Sequence, residues 1–169
     1  MPLSTSLQPT VQFERKVCDP AALPSRLLGM ARPLVFTNGC FDILHRGHVT
    51  YLAQARELGA SLLVALNSDA SVRSLGKPAD RPINMLEDRL AVVAALQSVD
   101  LVTWFDADTP LELIVLAHPD VLAKGGDWPA ETIVGAREVR DWGGQVRSIP
   151  FLFDRSTTAL LGRIRRNPV

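Results

Sequence analysis

Residues 61–66 read Ser-Leu-Leu-Val-Ala-Leu and break off at Asn67-Ser68-Asp69. A short apolar run without polar alternation fits a strand covered on both faces, and such strands belong inside parallel sheets. Parallel neighbours cannot be joined by a hairpin; they need crossovers, usually helices. The rest of the chain supplies them. Leu34, Val35 and Phe36 begin a first strand, and an amphipathic stretch over 48–58 follows. Asn84 and Glu87 have capping-box spacing and open a helix that ends near Ser98, before the strand at 100–105. Thr109, Pro110 and Glu112 open another helix, which must stop near Ala117 because Pro119 disfavours helical geometry at His118. A strand at 120–124, a helix at 135–142 closed by Gly143 and Gly144, a strand at 145–149 and a last helix at 156–165 capped by Ser156 complete the alternation.

Five strands joined by helical crossovers predict an α/β fold: a doubly wound, parallel, five-stranded, Rossmann-like sheet. The length of 169 residues suits one core. We expect an N-terminal arm and short helix over 1–31, with the arm at 1–10 flexible and the helix opened by Asp19 and Pro20, followed by one domain over 32–169. Eighteen basic residues balance eighteen acidic ones. No global field therefore favours nucleic acid or a charged membrane, and any bound anion must be held locally. Two cysteines, no signal peptide and no membrane-length apolar run predict a soluble cytoplasmic protein.

In doubly wound sheets ligands lie beyond the carboxyl ends of the strands. The segment Phe36-Thr-Asn-Gly-Cys-Phe-Asp-Ile-Leu-His-Arg-Gly-His48 leaves the first strand and enters a helix, which is where that rule places a nucleotide. Thr37, Asn38, Gly39, Phe41 and Gly47 are the candidate nucleotide contacts there. His45 and His48 share one face if the helix begins near His45, and two imidazole donors beside a helix N-terminus suit a phosphate. Gly47 removes a side chain that would keep the phosphate from the backbone. A zinc site would have only Cys40, His45 and His48, the bare minimum, without the intervening Glu of the metalloprotease pair. No G-x-G-x-x-G and no Walker sequence is present.

The segment TNGCFDILHRGH resembles the signature of the cytidylyltransferase-like nucleotidyltransferases, whose HxGH element matches His45, Arg46, Gly47 and His48. ALNSDASVRSLGK, RPINMLEDRLAVVAAL, VDLVTWF, PDVLAKGGDW, IVGAREVRDWGG and RSTTALLGRIR extend the resemblance over 33–165. They narrow it to the branch that adenylylates heptose 1-phosphate. The resemblance implies a reaction of ATP with D-glycero-β-D-manno-heptose 1-phosphate, aided by Mg2+, giving ADP-heptose for the lipopolysaccharide core and pyrophosphate. It implies small-molecule partners and a homo-oligomer. His45, His48 and Lys77 become the catalytic candidates, although Lys77 follows Gly76 where relatives place the lysine before the glycine. Arg89, Lys124, Gly125, Asp127, Ser156, Thr157 and Thr158 become further nucleotide contacts, and Asp42 and Asn67 candidate sugar-phosphate contacts. Related chains often carry a sugar kinase in front; about thirty residues before the first strand are too few for one, so a separate kinase is expected. The alternatives are a cytidylyltransferase acting on a polyol phosphate such as glycerol 3-phosphate, and a non-catalytic nucleotide-binding module.

Overall fold

The computed structural model describes residues 11–76, 78, 80–153 and 157–166. The expected arm at 1–10, Lys77 and the Ser156 cap lie outside the described residues. Five strands, β1 (Leu34–Gly39), β2 (Ser61–Asn67), β3 (Leu101–Phe105), β4 (Val121–Gly125) and β5 (Gln145–Ile149), form one parallel sheet in the order β3-β2-β1-β4-β5. The crossovers are carried by α2 (Arg46–Arg56), α3 (Asp69–Ser74), α4 (Leu86–Ala94), α5 (Leu111–Ala117) and α6 (Ala136–Asp141); α1 (Leu23–Leu27) precedes the sheet and α7 (Thr157–Arg166) follows it. The doubly wound expectation is met.

Every residue of β2 is buried, as its unbroken apolar run requires. Side chains alternate across the sheet. Leu34, Phe36, Leu63 and Leu122 pack with Leu23 of α1, Ile114 of α5 and Val139 of α6. Val35, Leu62, Val64 and Leu66 pack with Leu52 of α2 and Val93 of α4. The order reverses at β1, so β1 and β4 diverge at their carboxyl ends and leave a crevice.

Three local expectations are not met. Residues 69–74 after β2, where no helix is expected, form α3, which Ser68 caps by accepting a hydrogen bond from the Ser71 N–H. Asn84 does not cap α4, because its amide is committed to the Asp42 carbonyl, and Met85 takes the N-cap position without a side-chain bond. Thr109 makes no cap bond either, and α5 begins after Pro110. Other signals act as read: Asp19 caps its turn through Ala21, α5 stops at Ala117, and the backbone of Gly143 and Gly144 closes α6.

The residues before 32 belong to the core rather than to a separate arm from residue 11 onward. The Cys18 N–H donates to the Val102 carbonyl at 2.8 Å, Val17 bridges the outer edge of β3, and Leu23 is fully buried. Burial pushes the Cys18 thiol pKa up, outweighing the lowering influence of Arg26. We expect Leu23→Ala to destabilise the fold by about 2–5 kcal/mol, the usual cost of a cavity at a closed site, read as a lower urea midpoint.

Candidate active site

The crevice between β1 and β4 is bridged by Lys124, whose Nζ donates to Oδ1 and the carbonyl of Asn38 at 3.3 and 3.4 Å. Beside it the chain turns from β1 into α2. His45 is the N-cap residue in extended geometry, and His48 lies in the first turn. Their rings stack with centroids 3.8 Å apart and 18° between planes, so the two imidazoles share one face. The space left by glycine at 47 is used differently from the expectation. A Cβ there would stand 3.0 Å from the His45 ring and 3.4 Å from the Phe153 carbonyl, so the glycine lets the His45 ring lie across the turn. Phe41, buried at φ 45°, presents an edge to His48 at 5.3 Å. Gly39 accommodates the Phe41 ring in turn.

The start of α7 reaches the same place. Thr157 donates to the Ile43 carbonyl at 3.3 Å, while Thr158 is exposed. Arg46 lies 3.7 Å over the Phe153 ring, a cation–π contact that ties the approach to α7 onto α2. Two helix N-termini therefore converge beside the crevice, each with positive dipole character.

Two buried charges shape the floor. Asp42, with a fully buried side chain, accepts from the backbone N–H groups of Ile83 and Asn84 at 2.9 Å and pairs with Arg81. Burial alone would raise its pKa, but the Asn84 and Ile83 hydrogen bonds and the Arg81 guanidinium outweigh that and hold the carboxyl below its ordinary value. Asp42, expected to meet the sugar phosphate, is thus occupied in fastening the loop before α4. Arg89, expected to face the nucleotide, is also enclosed. Its guanidinium donates to the carbonyls of Cys40, Asn67 and Asn84 at 2.7, 2.8 and 3.0 Å and to Asp69 at 2.6 Å. The side chain has no exposed surface, so both residues act on the site through the backbone they hold.

The remaining candidates divide. Thr37 is buried and bonded to the Tyr51 hydroxyl, a phenol whose pKa burial drives upward. Asn67 is buried, with its amide donating to Ser71. Gly125 makes room for the Phe151 and Tyr51 rings, and Asp127 is exposed just beyond β4. A cleft of about 550 Å³ opens at these strand ends, with Asn38, Asn67, Lys124, Asp108 and Trp128 among its walls.

A family model described as cytidylyltransferase-like matches residues 36–163, a span that contains the stacked histidines, Gly125 and Gly126 at the end of β4 and most of α7. The chain belongs to the cytidylyltransferase-like family. It is 55% identical to D-beta-D-heptose 1-phosphate adenylyltransferase of Bordetella bronchiseptica over 93% of this chain and 98% of that protein. It is 56% identical to the bifunctional protein HldE of Hahella chejuensis over 80% of this chain, but spans only 28% of that longer protein. Among solved structures, a lipopolysaccharide core biosynthesis protein from Thermoplasma volcanium matches with TM-score 0.57 and 28% identity, covering 70% of this chain and 94% of that one.

For a cytidylyltransferase-like protein the informative surprises are Arg81 and Trp128. Arg81 lies in the Gly/Pro-containing stretch between α3 and α4, where a cation ordinarily faces water, yet only 7% of it is exposed. Nothing local marks it, because its partner Asp42 is 39 residues away. Trp128 closes the PDVLAKGGDW block, and its spacing alone assigns it no role. No group of three or more His, Cys, Asp or Glu side chains that could hold a metal ion occurs among the described residues. No helix among them is long and apolar enough to cross a membrane.

The Asp42 pair fixes the sign of an acid response. A carboxyl whose folded pKa lies below its ordinary 3.8 stabilises the fold above pH 3.8, and that contribution disappears as pH falls through the folded value. Asp42→Asn should cost about 3–5 kcal/mol at neutral pH by stranding Arg81. The variant should also lack this component of the acid-side decline, as thermal unfolding across pH 2–7 would record.

Proposed function

We propose that this chain transfers the adenylyl group of ATP to the phosphate of D-glycero-β-D-manno-heptose 1-phosphate, releasing pyrophosphate and forming ADP-heptose for the lipopolysaccharide core. The observation that carries the reading is the stacked His45–His48 pair at the N-terminus of α2, beside the β1/β4 crevice. The near full-length likeness to the Bordetella bronchiseptica adenylyltransferase supplies the substrates.

A phosphate oxygen of the sugar phosphate attacks the α-phosphorus of ATP in line, and pyrophosphate departs from the opposite side. No covalent intermediate with the protein is required, so the work is positioning and stabilising charge that develops on the phosphoryl oxygens. His45 and His48 donate toward the α/β bridge, where negative charge grows, and donors already oriented there bind the transition state more strongly than the ground state. Thr157 and Thr158 at the start of α7, with Ser156 from the motif, receive the outer phosphates. Lys124 neutralises phosphate at the crevice, with Lys77 of the loop after α3 in the same role. Asp127 is placed for nucleotide hydroxyls. Mg2+ would be bound together with the triphosphate. It supplies charge neutralisation. ATP as donor fits a cytoplasmic enzyme.

Pyrophosphate release is expected with ATP plus heptose 1-phosphate and not with CTP plus glycerol 3-phosphate. Turnover of only the second pair would replace the substrates while keeping the reaction type, and tight ATP binding without turnover of any sugar phosphate would leave a nucleotide-binding module. His48→Ala should lower turnover by about two to three orders of magnitude, the usual loss for one preorganised donor. A folded variant with full turnover would remove His48 from the chemistry.

A further inference from the structure

Helix α7 brings Thr157 and Thr158 to the anion-suited region, yet none of its residues is buried. Helices in proteins are held mostly by the packing of an apolar face. The polar contacts of α7 are modest. Thr157 donates to the Ile43 carbonyl at 3.3 Å, and Arg165 and Asp80 form an exposed ion pair, a kind that contributes little. What fixes the start of the helix against α2 therefore lies ahead of it. Phe153 precedes Thr157 by four residues, a stretch that spans at most about 14 Å, so wherever the Phe153 ring is held, the start of α7 must lie within that reach.

The ring is held by Arg46, whose guanidinium lies 3.7 Å from its centroid. The backbone runs equally close, since a Cβ on Gly47 would stand 3.4 Å from the Phe153 carbonyl. Two residues earlier, Phe151 sets its edge against Tyr51 of α2, with centroids 5.8 Å apart and 71° between planes, while Leu152 between them is 65% exposed. Residues 151 and 153 thus face α2 together. Arg46 is also an unexpected residue for its place. It is the first residue of α2, where the helix dipole disfavours a cation, and the negative face of an aromatic ring offsets that cost. His45 and His48 flank it in the same turn. One side chain therefore links the turn that carries the stacked histidines to the chain that leads into α7.

We propose that Arg46 is a positioning residue for the nucleotide: by holding the Phe153 ring it sets the start of α7, with Thr157 and Thr158, at a fixed distance from His45 and His48, so that one triphosphate is gripped from both sides. Arg46 acts through Phe153 and not by touching phosphate. The proposal rests on the adenylyltransferase reading for the identity of the nucleotide, though not for the Arg46–Phe153 clasp.

The test is a double-mutant cycle of wild type, Arg46→Ala, Phe153→Leu and the double variant, with Phe153→Tyr as the conservative control. Steady-state pyrophosphate release is measured with ATP and heptose 1-phosphate varied separately, and melting curves establish that each variant is folded at the assay temperature. Arg46→Ala and Phe153→Leu should each raise KM for ATP about two- to fivefold, the scale of one exposed cation–π contact, and leave KM for the sugar phosphate unchanged. The double variant should lose no more than either single one, because one contact cannot be lost twice. Phe153→Tyr keeps the ring and should keep the wild-type value. A loss in Arg46→Ala that Phe153→Leu lacks would put the guanidinium on the phosphate itself and overturn the proposal. Multiplying losses in the double variant, equal rises for both substrates, or wild-type kinetics in both single variants would overturn it too. Should Phe153→Leu not fold, Phe153→Met takes its place in the cycle. If wild type turns over only CTP with glycerol 3-phosphate, the adenylyltransferase reading fails, and the same cycle with CTP still decides the role of Arg46. If it binds ATP without turnover, dissociation constants for ATP replace KM and must show the same pattern.

Discussion

The candidate site depends on one guanidinium. Arg89 stands inside the protein with no exposed side-chain surface and gathers the carbonyls of Cys40, Asn67 and Asn84 together with the carboxylate of Asp69. These groups belong to the exit of β1, the end of β2, the approach to α4 and the first turn of α3. An arginine can hold them together because its donors form a planar fork whose charge is never lost. Leaving that charge buried without partners would be strongly unfavourable, so the four segments are held in mutual register by one group's need for acceptors. Asp42 performs the complementary task with the opposite sign, collecting the N–H groups of Ile83 and Asn84 and the Arg81 side chain. Two electrostatic fasteners therefore hold the backbone around the candidate site.

Around these fasteners the division of labour is spatial. The stacked histidines and the starts of α2 and α7 make a region suited to anions, in which backbone N–H groups and dipoles point at one place. The cleft lies beside Lys124, with a mainly apolar lining that includes Leu75, Pro110, Trp128, Ile133 and Val134. Under the proposed transfer the nucleotide phosphates occupy the anion-suited region. The parallel sheet makes the arrangement available, because all five strands end on the same side and the reversal at β1 leaves space there.

Glycines repeatedly serve neighbouring rings. Gly47 makes room for His45, Gly39 for Phe41, Gly125 for Phe151 and Tyr51, and Gly126 for Trp128. Motif glycines near a phosphate invite the reading that backbone must approach ligand. In this protein they also set aromatic side chains in single orientations. A substitution at such a position would disturb the site through a displaced ring, even where the ligand never touches the glycine.

Sequence alone determined what depends on neighbours along the chain. The apolar run of β2 dictated a buried parallel strand, the caps and prolines marked most helix limits, and the spacing of His45 and His48 placed both rings on one face, because these are consequences of strand and helix periodicity. The motif blocks carried the family. Tertiary structure alone decided the rest. Arg89 finds the Cys40 carbonyl 49 residues away, and Asp42 diverts Asn84 from the cap it seemed to form. Residues from 11 onward join the core through Val102 and the burial of Leu23. Trp128 becomes a cleft wall only once the strand ends stand together. The physical reason is the same in each case: a buried charge or polar group must find partners wherever the fold brings them, and sequence separation carries no record of that meeting.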